Sequence, residues 1–150
     1  MTKRWLLVPA IVALAVTVYA TTSTAAAPTW TVEHYSTSET WHAFTDIGKK
    51  DRGGPTDIYV AQQALKTPDG GSVGVINGYG VNLRPPFVFF HWTASLAGGT
   101  LTIGGAVDVS RPSAVYAIDG GTGRYSGARG TVTLVEAGSK GALATVRYIR

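Results

Sequence analysis

The stretch Ala117-Ile118-Asp119-Gly120-Gly121-Thr122-Gly123-Arg124-Tyr125-Ser126-Gly127-Ala128-Arg129-Gly130 decides how this chain folds. Its glycines supply positions where the backbone can take positive φ or lie close against a neighbouring strand. Gly121-Thr122-Gly123 has the outward form of a dinucleotide fingerprint. That fingerprint needs a helix next, so that a pyrophosphate can sit at the helix N-terminus. Here Thr131-Val132-Thr133-Leu134-Val135 follows, a β-branched and aliphatic run that reads as a strand. The segment is a turn between strands, and nucleotide binding is set aside.

The same pattern extends outward in both directions. Nineteen glycines and seven prolines break the chain into short apolar, β-branched and aromatic runs, and only 15% of residues are charged. Eight strands are expected, at about 30–36, 57–66, 72–82, 87–96, 100–109, 114–118, 130–136 and 142–149. Pro68-Asp69-Gly70-Gly71 combines a fixed φ with residues that tolerate positive φ, so it should reverse the chain tightly. Gly98-Gly99 separates two strand-like runs in the same way. Arg84-Pro85-Pro86 cannot continue a central ladder, since neither proline donates an N–H. Residues from Gly48 to Pro55 are polar and glycine-rich and read as a long loop. There is no sustained helical period beyond residue 28 and no internal repeat. Eight such strands can remove their edges by closing into a barrel that holds side chains or one small ligand. A two-sheet sandwich fits the same pattern.

The N-terminus reads differently. Lys3 and Arg4 precede an uncharged run from Trp5 to Tyr19, and small residues lead to Ala27. This is the layout of a secretory signal peptide over residues 1–27, with cleavage between Ala20 and Ala27, leaving one domain over 28–150. The apolar run is shorter than the roughly 20 residues of a bilayer span. The expectation is a secreted protein with no stable membrane span once the signal is removed. Cleavage deletes Lys3 and Arg4 and no acid, so the charge of +4 falls to +2. With no basic run beyond Lys49, Lys50 and Arg52, nucleic acid is not an expected partner. The absence of cysteine excludes a thiol nucleophile and a thiolate metal site. His34, His42 and His91 match no standard zinc spacing, so no metal or other cofactor is expected. No Gly-x-Ser-x-Gly elbow is present, which argues against a serine hydrolase.

The opening stretch also resembles the GGTG-x-[FY]-x-x-A-R-G segment of dirigent proteins. Gly98-Gly99-Thr100-Leu101-Thr102-Ile103-Gly104-Gly105 resembles their GSTL-x-V-x-G strand. Ser72-Val73-Gly74 through Gly78 resembles a strand shared with plant allene oxide cyclases, and Asp57 through Leu65 resembles the strand before it. The order and spacing agree over about residues 57–136. This resemblance implies an eight-stranded antiparallel β-barrel, usually a homotrimer, that holds a small apolar ligand. Such a barrel steers the cyclisation or coupling of a phenolic or fatty-acid/polyketide-derived compound. The alternative is a non-catalytic secreted binding or structural module.

The resemblance also nominates residues. Glu33 matches the first-strand glutamate of the cyclases, and is the candidate acid–base group. Tyr35 faces the same side if the segment is a strand. Gln63 stands at the cyclase asparagine, and Gly80 where those enzymes carry a pocket cysteine. Arg129 matches the dirigent Ala-Arg-Gly arginine and is the second catalytic candidate, with a tie to Asp119 or a loop carbonyl as its structural reading. Gln62 and Gln63 replace the paired acids of many dirigents. In Phe87-Val88-Phe89-Phe90-His91-Trp92, Phe89 and His91 are candidates for the ligand wall, against a plain core or interface role.

Overall fold

The computed structural model describes residues 27–47, 54–138 and 141–150. The expected signal segment, apart from Ala27, lies outside the described residues, as does most of the loop from Gly48. The strands are β1 (Thr31–Thr45), β2 (Ile58–Lys66), β3 (Ser72–Asn82), β4 (Phe87–Leu96), β5 (Gly99–Asp108), β6 (Ser113–Gly121), β7 (Arg129–Glu136) and β8 (Ala142–Ile149). Each pairs antiparallel with the next, and β1 pairs with β8 from Thr31↔Tyr148 to Thr37↔Ala142. The sheet is thus a closed barrel without free edges, and the sandwich alternative falls away.

All eight expected strands are present, but β1 runs nine residues past its expected end at residue 36. The polar run Ser36-Thr37-Ser38-Glu39-Thr40 carries little strand propensity of its own. It is held extended because β1 pairs with β2 along Ser36–Thr45 after leaving β8. β6 likewise extends into the glycine-rich stretch, where Asp119 is left unpaired by a register shift against β5. The 67–71 turn closes through Gly70 N–H to the Thr67 carbonyl, with Gly70 at φ 95°.

One end of the barrel carries the β2–β3, β4–β5 and β6–β7 turns together with the start of β1 and the end of β8. A short 3-10 helix, η1 (Gly123–Tyr125), folds across this end. It is stitched to the β4–β5 hairpin by Arg124 N–H to the Gly98 carbonyl at 2.8 Å and Thr122 N–H to the Thr100 carbonyl at 2.9 Å. Gly123 is at φ 58°, and a Cβ there would stand 2.1 Å from the Gly98 carbonyl oxygen. The turn therefore requires glycine on both counts. η1 drives Tyr125 into the barrel end, where it has no exposed surface. At the opposite end, buried Asp57 accepts from the Ile47 N–H at 2.9 Å and ties the end of β1 to the start of β2.

The core lies inside the barrel, built from the inward residue of each pleat: Leu65, Ile76, Trp92, Leu101, Ile103, Ile118, Val132 and Val146. Apart from Ile76, β3 presents glycine to this face at Gly74, Gly78 and Gly80. A Cβ on Gly78 would meet the Trp92 ring at 2.3 Å, and one on Gly80 the Phe90 ring at 2.5 Å. The missing side chains are the space into which the two rings of β4 lean. Phe90 and Trp92 stack there with centroids 5.5 Å apart.

Candidate functional site

The interior is not filled. A cavity of about 190 Å³ remains, walled by Phe90 and Trp92 on one side and Leu101, Ile103, Val132, Leu134 and Val146 on the other. An enclosed apolar cavity of about 150 Å³ is enough to bind benzene, so this one accommodates an aromatic ring. A surface groove lined by Val107, Asp108, Arg111 and Glu136 shares Phe90, Tyr116 and Leu134 with the cavity. The cavity therefore reaches the end of the barrel opposite η1. Four polar side chains enter its wall: Tyr35, Tyr59, Gln63 and Tyr116. The Gln63 amide and the Tyr116 hydroxyl have no hydrogen-bond partner among the described residues. Among the described residues no fully enclosed side-chain polar atom lacks a partner, so these groups open onto the cavity. Burial pushes the Tyr116 phenol up to about 12.

Glu33 lies at the η1 end, with its side chain 18% exposed. It is inward because β1 pairs it with Val146, a core residue. Tyr35 donates to Glu33 Oε2 at 2.5 Å, Arg124 Nη2 to Oε1 at 2.7 Å, and Tyr148 to Oε1 at 3.2 Å. Tyr125 stands 3.5 Å from Oε2, the outer limit of a hydrogen bond. Burial, reinforced by the hydrogen bond to Glu33 and the Glu33 charge, holds the Tyr35 phenol far above the usual range. Burial and the Glu33 charge also raise that of Tyr148. Both hydroxyls are held as proton donors to one carboxylate. Glu33 itself does not line the cavity. Tyr35 does, so it is the side chain that links the carboxylate to the cavity wall.

Of the residues nominated from sequence, Glu33, Tyr35 and Gln63 come to the interior. Phe89 and His91 do not. In β4 the inward positions are Val88, Phe90, Trp92 and Ala94, which puts Phe89, 37% exposed, and His91 on the outer face. His91 packs there against Tyr79, with ring centroids 5.7 Å apart. Phe87 to Trp92 is apolar at nearly every position, so no alternation told the two faces apart. Arg129 is exposed at the start of β7, and neither Glu33 nor Asp119 receives it among the described residues. The guanidinium at Glu33 is that of Arg124, five residues earlier, delivered by η1. Arg124, Tyr116 and Tyr148 were not nominated. The alternation Ala144, Val146, Tyr148 along β8 was the signal that could have found Tyr148, whereas nothing local marks Arg124.

No family model matches the chain, and no curated protein matches it by sequence. Solved structures match by shape. A pyocyanin demethylase superposes with TM-score 0.69 at 22% identity, covering 77% of this chain and 97% of that one. An exo-specific intermolecular Diels-Alderase gives 0.68 at 12%, covering 82% and 98%. A pterocarpan synthase dirigent protein gives 0.64 at 19%, covering 81% and 86%. At these identities the likeness is one of fold. The chain has the eight-stranded barrel fold of the dirigent and cyclase-like proteins, as its glycine-rich segments led one to expect.

Proposed function

We propose that this is an exported barrel that binds a small, mainly apolar, ring-bearing molecule in its interior and steers an isomerase-like ring closure or coupling. The observation that carries this reading is the aromatic-walled interior cavity, with Tyr35 in its wall and hydrogen-bonded to Glu33. Known structures of like shape include Diels-Alderases and dirigent proteins. The substrate class is phenolic or fatty-acid/polyketide-derived. The Tyr35 proton is committed to Glu33, so its oxygen turns lone pairs to the cavity. It can accept a hydrogen bond from a ligand hydroxyl while that oxygen attacks an unsaturated carbon. The new bond is oxygen to carbon. The hydroxyl proton passes through Tyr35 to Glu33 and returns to the oxygen or carbon that gained the electron pair. The apolar wall holds the two reacting ends together, which is the larger share of the effect.

A thermal-shift screen of phenolic and fatty-acid-derived compounds tests the reading. A compound at about 100 times its Kd stabilises the barrel by about 2.7 kcal/mol. Ala144→Phe, which fills the cavity from β8, should abolish the shift. An equal shift in that variant would place binding elsewhere and remove the proposal. Glu33→Gln should still bind and lose turnover. Turnover unchanged in that variant would show that the chemistry does not pass through Glu33.

The homotrimer belongs to the same reading. Trp41, Val60, Tyr79 and Phe89 form an outward apolar band across β1 to β4, with Val60 opposite Tyr79 and Val81 opposite Phe89. Bands of this kind mark association surfaces. Light scattering on protein recovered from the medium should give three chains, each shortened by the signal. A mass of one chain would remove the trimer.

A further inference from the structure

The other half of β1 carries a second polar site. In an unbroken strand, residues three apart fall on opposite faces. Glu39 and His42 nevertheless share the inner face. Glu39 pairs with Gln63, but Trp41 pairs with Gln62, so Thr40 is an extra residue in the ladder. Its hydroxyl is turned to the Gln62 carbonyl at 3.1 Å. This bulge shifts every later residue of β1 by one place. His42 comes opposite Ala61, a core residue, and Glu39 stays opposite Gln63 in the cavity wall. Bulges that re-aim side chains in this way gather beside active sites.

The result is a connected set. His42 Nδ1 lies 2.6 Å from Glu39 Oε1, and the Tyr59 hydroxyl donates to Glu39 Oε2. The His42 and Tyr59 rings stack, with centroids 5.9 Å apart. His42 is 58% exposed, whereas Tyr59 lines the cavity. The carboxylate therefore bridges solvent and interior. Its effect on the cavity is specific. With the Tyr59 proton committed to Glu39, only lone pairs of that oxygen face a ligand. Gln63, across the ladder from Glu39, has an amide with no partner among the described residues. Tyr59 and Gln63 both line the cavity from the same face of β2, and Glu39, opposite Gln63, holds the Tyr59 hydroxyl; an acceptor oxygen and an N–H donor are what one hydroxyl group satisfies.

We propose that Tyr59, Glu39 and Gln63 form a subsite for a ligand hydroxyl, an alcohol or phenol, that donates to Tyr59 and accepts from Gln63. His42 occupies the other carboxylate oxygen from the solvent side. The proposal rests on the reading that the barrel interior binds a ligand, and it makes the ligand a hydroxylated one at the end away from Glu33. An ether in place of the hydroxyl leaves the Tyr59 oxygen facing another acceptor.

Phenol and anisole are the probes, since they differ by replacing O–H with O–CH3. Binding is followed by ligand-observed NMR titration of the full barrel. The wild type should prefer phenol by about fivefold to tenfold, the effect of one hydrogen bond. Tyr59→Phe should bring the ratio near one. Glu39→Gln should also lower it, because a glutamine amide can donate to Tyr59 and free the phenol proton for an ether oxygen. Tyr35→Phe should leave part of the preference in place. A phenol preference unchanged in both Tyr59→Phe and Glu39→Gln overturns the subsite. Should Tyr59→Phe lose the barrel circular dichroism signal, Glu39→Gln alone decides. If neither probe binds the wild type in a manner that Ala144→Phe blocks, interior binding itself fails, a result distinct from equal binding of both probes.

Discussion

Tyr125→Ala should destabilise the barrel by about 3–5 kcal/mol, the range for truncating a large buried aromatic side chain. Tyr125 has no exposed surface and packs against Tyr148, with ring centroids 5.8 Å apart. It is also the side chain with which η1 fills one end of the barrel. Its loss removes contacts and opens the floor beside Glu33, and the short η1 has no other buried side chain to hold it. Against a usual domain stability of about 5–15 kcal/mol, a loss of this size is a large fraction. Urea unfolding measures it as a lower midpoint at an unchanged slope. Tyr125→Phe is the control. Its hydroxyl lies 3.5 Å from Glu33, at the outer limit of a hydrogen bond, and the ring that fills the barrel end is kept, so that variant should stay much closer to the parent than Tyr125→Ala. A loss below about 1 kcal/mol in Tyr125→Ala, where contact and cavity terms of this size are expected, would show that η1 is not what closes the barrel.

The second large effect is an alkaline loss of the fold. The phenols of Tyr35, Tyr116 and Tyr148 are all raised above their ordinary value of 10.0, each chiefly by burial. Below pH 10 the phenols are neutral in both folded and unfolded chains, and the stabilisation is fully present. Above it the unfolded chain releases these protons while the folded chain keeps them. The folded state then binds more protons, so stability falls as pH rises. Each phenol contributes a slope of about 1.4 kcal/mol per pH unit. For Tyr116 the window closes at about 12, and for Tyr35 it extends higher. Phenolate absorbance followed together with circular dichroism should show these groups ionising as the barrel opens. Tyr116→Phe removes a hydroxyl without a protein partner among the described residues, so it should cost little at neutral pH and flatten the alkaline decline. An alkaline profile identical to the parent would show that Tyr116 is not the group responsible.

Where side chains point was legible in part. Glu33 was placed inward from its strand position and its likeness to a cyclase glutamate, and the ladder to Val146 puts it there. Tyr35 followed from alternation along the strand and Gln63 from its likeness to a cyclase asparagine, and both reached the wall. The alternation was useless in β4, where both faces are apolar. Phe89 and Phe90 could not be told apart until β3 offered glycines on one side only.

From sequence alone, the positions of the eight strands, their turns and the reading of the 117–130 stretch as a turn into a strand were determined. These are properties of neighbours along the chain: φ at glycine and proline, and the preference of β-branched residues for extended backbone. The expectation of a signal over residues 1–27 is of the same local kind. Tertiary structure alone decided the rest. Closure of β1 on β8 carried β1 through a polar run with little strand propensity. Arg124 rather than Arg129 meets Glu33 because η1 folds across the barrel end and β7 does not. Glu39 and His42 share a face because Thr40 found no partner in the ladder. A one-residue shift of register reverses which side of a sheet every later residue faces, and register is set between strands, not within one.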